Sequence, residues 1–282
     1  MKVSYLFIAA LACSFSAFGA ATPSQSVEQF CSDRSSAAFS KELTKSSENL
    51  MAFQNRGGIA NGGVCWWHSR FQRNALYLTV FKPTEARPSK EEAEKIIADI
   101  RSAKEIVEIP GFRNFNEFSN THRSEIQREL EKWQKGDGVI RFNWVIGLRG
   151  DNVISAEQMK RDMDELYQYV EGDGNIAYQK LQIKGVTAHA WLVVNMRAIN
   201  DSSGKGYDLE VLDSNYANRT NAYNFREGQT HFSHAYYGEF TPYLERKGEM
   251  EKINLTILKK CNPDEYKIRK AKQKVENSDN NA

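Results

Sequence analysis

The sequence predicts an α+β fold, with helices first and an antiparallel sheet after them. Up to about residue 171, apolar residues recur at three- and four-residue steps, the spacing of helix faces. From Ile176 onward the runs are short, apolar and rich in β-branched and aromatic residues, as strands are. The two patterns are segregated along the chain, whereas a parallel α/β sheet interleaves them. The 282 residues hold 40% AVILMFWYC and 26% charged residues at a net charge of +2, enough apolar material for a core. One domain is expected over 21–265, with a helical lobe over 24–171 and a β lobe over 175–260.

Met1-Lys2, the apolar run Leu6 to Ala12 and the small residues Ala17 to Ala21 have the three-part pattern of a signal peptide over 1–20. The chain is therefore expected to be exported, to the periplasm or out of the cell. No later apolar run is long enough to span a bilayer as a helix. Losing the signal removes Cys13 and leaves Cys31, Cys65 and Cys261 in an oxidising compartment. Three cysteines cannot all pair within one chain. Cys31 and Cys261 lie near the two ends, where a disulfide would tie them down. Closing that loop of roughly 230 residues is worth on the order of 5 kcal/mol at most. Cys65 is then the free thiol.

Residues 24–52 carry helical spacing for one or two short helices, and 54–63 hold four glycines and two asparagines, a loop by composition. Trp67, Phe71, Leu78 and Phe81 then place an amphipathic helix over Cys65–Phe81. Ser89-Lys90-Glu91-Glu92 is a capping box for a helix to about Lys104. Phe112–Asn120 reads as irregular, and Thr121–Lys135 as a helix. Val139–Leu148 fits strand or helix equally, and Ser155–Gln158 caps a helix to about Val170. Strands are predicted over Ile176–Ile183, Ala188–Met196, Tyr207–Leu212, Ala235–Leu244 and Lys252–Leu258. Residues 266–282 should form a basic helix fading into a disordered polar tail.

A catalytic thiol needs a group that stabilises thiolate, a general base in reach and a residue that orients the base. Cys65 meets the first need, because a helix starting there aims unpaired N–H groups at the sulfur and at a developing oxyanion. Among the five histidines, His189 stands at the start of an apolar strand, and the next strand ends at Asp213. A hairpin centred near residues 201–203 sets His189 opposite Asp213 or a neighbour. Parity agrees: His189, Trp191 and Val193 share one face, as do Leu209, Val211 and Asp213. Asp213 would fix the imidazole tautomer and favour imidazolium, with Asn215 the second candidate orienter.

With these residues the chain resembles the papain-like cysteine peptidases in the broad sense: a Cys at a helix start after a Gly-rich loop, a His on a strand, then Asp or Asn after the next strand. Gly62-Gly63-Val64-Cys65-Trp66 matches the C-G-[SA]-C-[WY] signature at Gly63, Cys65 and Trp66. His189 and Asp213 follow Cys65 by 124 and 148 residues, against about 130–150 for His and Asn in that family. The resemblance covers roughly residues 54–80 and 185–216. It implies a helical lobe against a β-rich lobe, with a Cys65, His189, Asp213 triad and thioester chemistry in the cleft between them. Gly62 stands where the family has a cysteine, and the expected oxyanion glutamine is missing from its usual place. Asn61 or Gln54 is preferred as its substitute, with Asn55 also at hand.

The expected activity is thiol hydrolysis of a peptide or isopeptide amide. Transglutaminase-like acyl transfer and cell-wall peptide amidase chemistry use the same residue order. A non-catalytic binding protein on this fold is the competing class, its aromatic-rich C-terminal half serving for recognition. Nucleic acid is a poor partner, since 38 basic residues face 36 acidic ones with no basic stripe. Val64-Cys65 stands where a phosphate loop needs Lys-Ser/Thr. His231 and His234 lack further ligands for zinc, and His68 reads as a solvated helix residue. No metal or cofactor is implied, and no feature fixes an oligomeric state.

Overall fold

The computed structural model describes residues 25–34, 39–140, 152–183, 188–202, 204–236, 238–244 and 248–279. The signal segment 1–20 and most of the Val139–Leu148 stretch lie outside them. Local capping sets most helix starts. Ser26 accepts from the Gln29 N–H to open α1 (Val27–Asp33), and α2 (Phe39–Lys45) follows. The helix at the nucleophile candidate, α3 (Cys65–Leu78), stops short of Phe81 because the chain becomes β1 (Thr79–Lys82). The Ser89–Glu92 capping box opens α4 (Lys90–Ser102), and β2 (Val107–Pro110) pairs parallel with β1. The expected irregular stretch contains α5 (Phe115–Thr121), because the Asn114 side chain caps the Glu117 N–H. Then come α6 (Arg123–Gln134) and α7 (Ala156–Tyr167), the latter capped by Ser155 and ending in a π turn.

The second half is a six-stranded antiparallel sheet. Its strands are β3 (Ala177–Ile183), β4 (Ala188–Asp201), β5 (Gly204–Asp213), β6 (Asn221–Arg226), β7 (Phe232–His234) and β8 (Gly238–Leu244). The order is β6-β5-β4-β3-β8-β7. The sheet is nearly closed: Tyr223 on one edge strand meets Phe232 on the other, ring centroids 6.2 Å apart. The α+β class is therefore observed.

Two expectations near the C-terminus are corrected. Lys252–Leu258 is not a strand but part of α8 (Gly248–Cys261). Met250 and Ile253 are buried at helical spacing against the helical side of the core, so tertiary burial overrides the β-branched composition. The β lobe thus ends near residue 244. The polar tail also continues as helix, α9 (Pro263–Asp279).

Two clusters form the interior. One lies between the helices and the outer face of the sheet, joining Trp67, Phe71 and Leu78 of α3 to Ala190, Leu192 and Val194 of β4. The other fills the sheet's concave side, where Trp191, Val193, Val211 and Phe240 meet Met159, Met163 and Leu166 of α7. A bulge between Val193 and Asn195 switches the face of β4.

Cys31 and Cys261 form the expected disulfide, with Cα atoms 5.4 Å apart across a sequence separation of 230, and tie α1 to α8. Among the described residues no helix is long and apolar enough to cross a membrane. Replacing both cysteines (Cys31→Ser with Cys261→Ser) should lower unfolding stability by about 2–5 kcal/mol. Urea titration checks this, and an unshifted midpoint would mean that the helices alone fix the chain ends.

Candidate functional site

Every residue of α3 except Arg70 is buried, so it is a central helix and not the amphipathic one its spacing suggested. Several of its polar side chains are satisfied from outside. His68 Nε2 donates to the Phe53 carbonyl (3.0 Å), Ser69 Oγ to Ala190 O (3.2 Å), and Asn74 Nδ2 to Ile100 O (3.0 Å). Trp66 Nε1 donates to the carbonyl of His189 itself at 3.1 Å. These bonds to β4 fix the first turn of α3, and Cys65 with it, against the strand that carries His189.

The hairpin holds the other two residues. Trp191 pairs with Asp213 across β4 and β5, which places Asp213 one diagonal step from His189 at the strand ends. His189 Nε2 donates to Asp213 Oδ1 at 2.7 Å, and a further hydrogen bond joins His189 to Cys65. Cys65, His189 and Asp213 are 7%, 5% and 2% exposed. The three residues singled out from sequence thus stand in one connected row.

Burial alone would push the His189 imidazolium down. The Cys65 charge, the hydrogen bonds to Asp213 and Cys65, and the Asp213 charge outweigh it and raise the value to about 10. Burial likewise works against the Asp213 carboxylate. The His189 hydrogen bond and charge, together with the Asn215 N–H, prevail and hold it below its ordinary value. His68 is not solvated but buried, and burial lowers it to about 4. It is a neutral donor to Phe53 and no rival base. A cavity of about 20 Å³, room for one water, is bordered by His68, Asp213 and Ser214. Among the described residues Asp213 Oδ2 and Ser214 Oγ have no hydrogen-bond partner.

The Gly-rich loop is held in place by α6. Gln127 Nε2 donates to Arg56 O (2.8 Å), Glu131 accepts from Gly58 N–H (3.2 Å), and Gln134 accepts from Ile59 N–H and donates to Gly63 O (2.9 Å each). Asn55 ties this loop to the sheet. It accepts from the Val64 N–H, donates through its own N–H to Ser214 O (2.7 Å), and reaches Asn215 Oδ1 through Nδ2 (3.3 Å). Gly63 has φ +86, and a Cβ there would come within 2.6 Å of the Asn55 amide, so this approach requires glycine.

Asn215 lies beside the dyad, its amide nitrogen 3.4 Å from His189 Nε2. Asn61 is exposed on a short turn with φ 57, and Gln54 is half-buried with Oε1 facing Arg56 at 3.5 Å. Of the three amides considered for the oxyanion, Asn55 is the one bonded both to the approach to α3 and to Asn215. The buttress from Gln127, Glu131 and Gln134 was missed in the sequence, though their spacing of four and three along one helix face was visible. Among the described residues no group of three or more His, Cys, Asp or Glu could hold a metal ion.

The raised His189 value has a definite sign. Its imidazolium contributes stability fully below the ordinary histidine value of 6.5, and that contribution is lost as pH rises through about 10. Imidazole NMR should show His189 protonated through neutrality and titrating near 10, with His68 near 4. Cys65→Ala should lower the His189 midpoint, and an unmoved midpoint would show that the two side chains are not electrostatically coupled. Comparison with protein-family models, with curated proteins and with solved structures gave no match to this chain.

Proposed function

We propose that this protein is an exported, papain-like thiol hydrolase that cleaves a peptide or isopeptide amide through Cys65, His189 and Asp213. The observation that carries the reading is the continuous, buried hydrogen-bonded row from Cys65 through His189 to Asp213. An imidazolium held to about pH 10 beside a sulfur at a helix start is the arrangement that activates a thiol. The Cys31–Cys261 disulfide accords with an oxidising compartment, hence with export.

In the proposed reaction the Cys65 thiolate attacks the amide carbonyl and forms a C–S bond. First-turn N–H groups of α3, with a side-chain amide from the loop (Asn61, Gln54 or Asn55), stabilise the oxyanion. Collapse breaks the C–N bond, and the imidazolium of His189 gives its proton to the departing amine. Water, deprotonated by His189, then attacks the thioester and releases the acid and the thiolate. Asp213 keeps the ring oriented and its charge balanced throughout.

Digestion of a proteome-derived peptide library, read by mass spectrometry with and without a labelled amine, separates hydrolysis from transfer. Cys65→Ala should abolish product formation, and His189→Ala should cut it by roughly 10²–10⁴-fold. Iodoacetamide should label Cys65 of the non-reduced protein faster than it labels the same thiol in the His189→Ala variant. Equal labelling of the two, with no product from the library, would overturn the enzymatic reading in favour of a binding protein.

A further inference from the structure

Beside the candidate row lies a groove of about 450 Å³ whose lining includes Gln54, Arg56, Arg123, Tyr216 and Arg219. Phe53, Tyr216 and Arg219 also line the small cavity that Asp213 borders. The groove therefore adjoins the candidate site on the Asp213 side. Three arginines line it, and among the described residues no aspartate or glutamate does.

Several arginines elsewhere in the fold are matched with carboxylates: Arg73 with Glu249, Arg87 with Glu117, Arg128 with Glu94 and Glu125. Arg56, Arg123 and Arg219 have no ion pair among the described residues. Two of them are instead steered by aromatic rings: the Arg123 guanidinium lies 5.2 Å over Phe53, and that of Arg219 lies 4.8 Å over Tyr216. Rings hold a guanidinium in place without using its N–H donors, which stay available for an anion. Three like charges without an internal counter-ion form a local positive field at the edge of the cleft.

We propose that this groove is a substrate subsite for a carboxylate, carried by the peptide either on an acidic side chain or at its C-terminus. The proposal rests on the thiol hydrolase reading for the word substrate, but the recognition itself needs no turnover. Arginine pairs with a carboxylate through two parallel N–H···O bonds, so the groove would fix both the charge and the orientation of the chain entering the cleft. Lysine at the same place would be repelled, and glutamine would offer a neutral single acceptor in place of the paired carboxylate oxygens.

The test uses the full chain with Cys65→Ala, immobilised at low salt, to retain peptides from a proteome digest prepared with free or with amidated C-termini. The comparison protein carries Arg56→Gln, Arg123→Gln and Arg219→Gln in addition. Peptides retained by the parent should be enriched in the recognised carboxylate about tenfold over those on the comparison protein, the combined size of three partly exposed charge pairs. Enrichment that survives amidation assigns the subsite to acidic side chains, and enrichment lost on amidation assigns it to the terminal carboxylate. Equal retention on both proteins overturns the subsite. A melting curve confirms that the triple variant folds; if it does not, Arg219→Gln alone, at an exposed position, should lose part of the enrichment. Acid-selective retention by a protein whose Cys65 proves inert would leave the subsite standing and the hydrolase reading refuted. Cleavage without acid preference would do the reverse.

Discussion

Helix α3 is pinned to strand β4 by Trp66 and Ser69, whose side chains donate to the carbonyls of His189 and Ala190. The nucleophile candidate begins the helix and the base candidate begins the strand, so two bonds one turn apart set their distance. A slip of one residue along either element would break both bonds and carry Cys65 away from the imidazole. The surrounding core supports that alignment: Phe71, Leu78, Leu192 and Val194 fill the contact between helix and sheet. Close packing makes such an interface bistable at best, not freely adjustable. The hairpin then needs only to deliver Asp213, which antiparallel pairing does by fixing its register to Trp191.

Burying ionised groups is costly unless each is paired and hydrogen-bonded. The candidate site places the His189 imidazolium against the Asp213 carboxylate, and its neighbour His68 stays neutral by burial. The carboxylate gains the Asn215 N–H as well, so one turn after β5 supports the charge at the end of the row. Opposite charges are thus paired inside an otherwise apolar interior. The three groove arginines lie outside this pairing, on exposed loops and at the start of α6, where solvent screens them.

The parts of the site that repeat a pattern were legible in the amino-acid sequence. Cys65 follows a glycine-rich stretch at the start of a helix, and His189 and Asp213 sit at ends of adjacent strands joined by a short turn. Periodicity and hairpin geometry suffice for those. What was not legible depends on contacts distant along the chain. Gln127, Glu131 and Gln134 look like an ordinary wet helix face until the Gly58–Gly63 loop is seen lying on them. Asn55 gains its place only when residues 55, 64 and 215 meet. In α8, Ile253, Leu255 and Ile257 alternate as a strand would, and burial against α3 decides for helix. For α5 the signal was present, since Asn114 and Glu117 stand at cap spacing, but the flanking aromatic residues obscured it.

The link between Cys31 and Cys261 also changes what a cut in the backbone can do. Most of the described residues lie inside the ring it closes, from 31 to 261. A protease that severs one exposed loop between these residues therefore opens the ring without releasing a fragment. The two pieces remain held by the sulfur bridge and by the sheet and helices they share. Wherever other proteases act on it, such a nicked molecule would keep its parts in register and would separate into two bands only under reducing conditions.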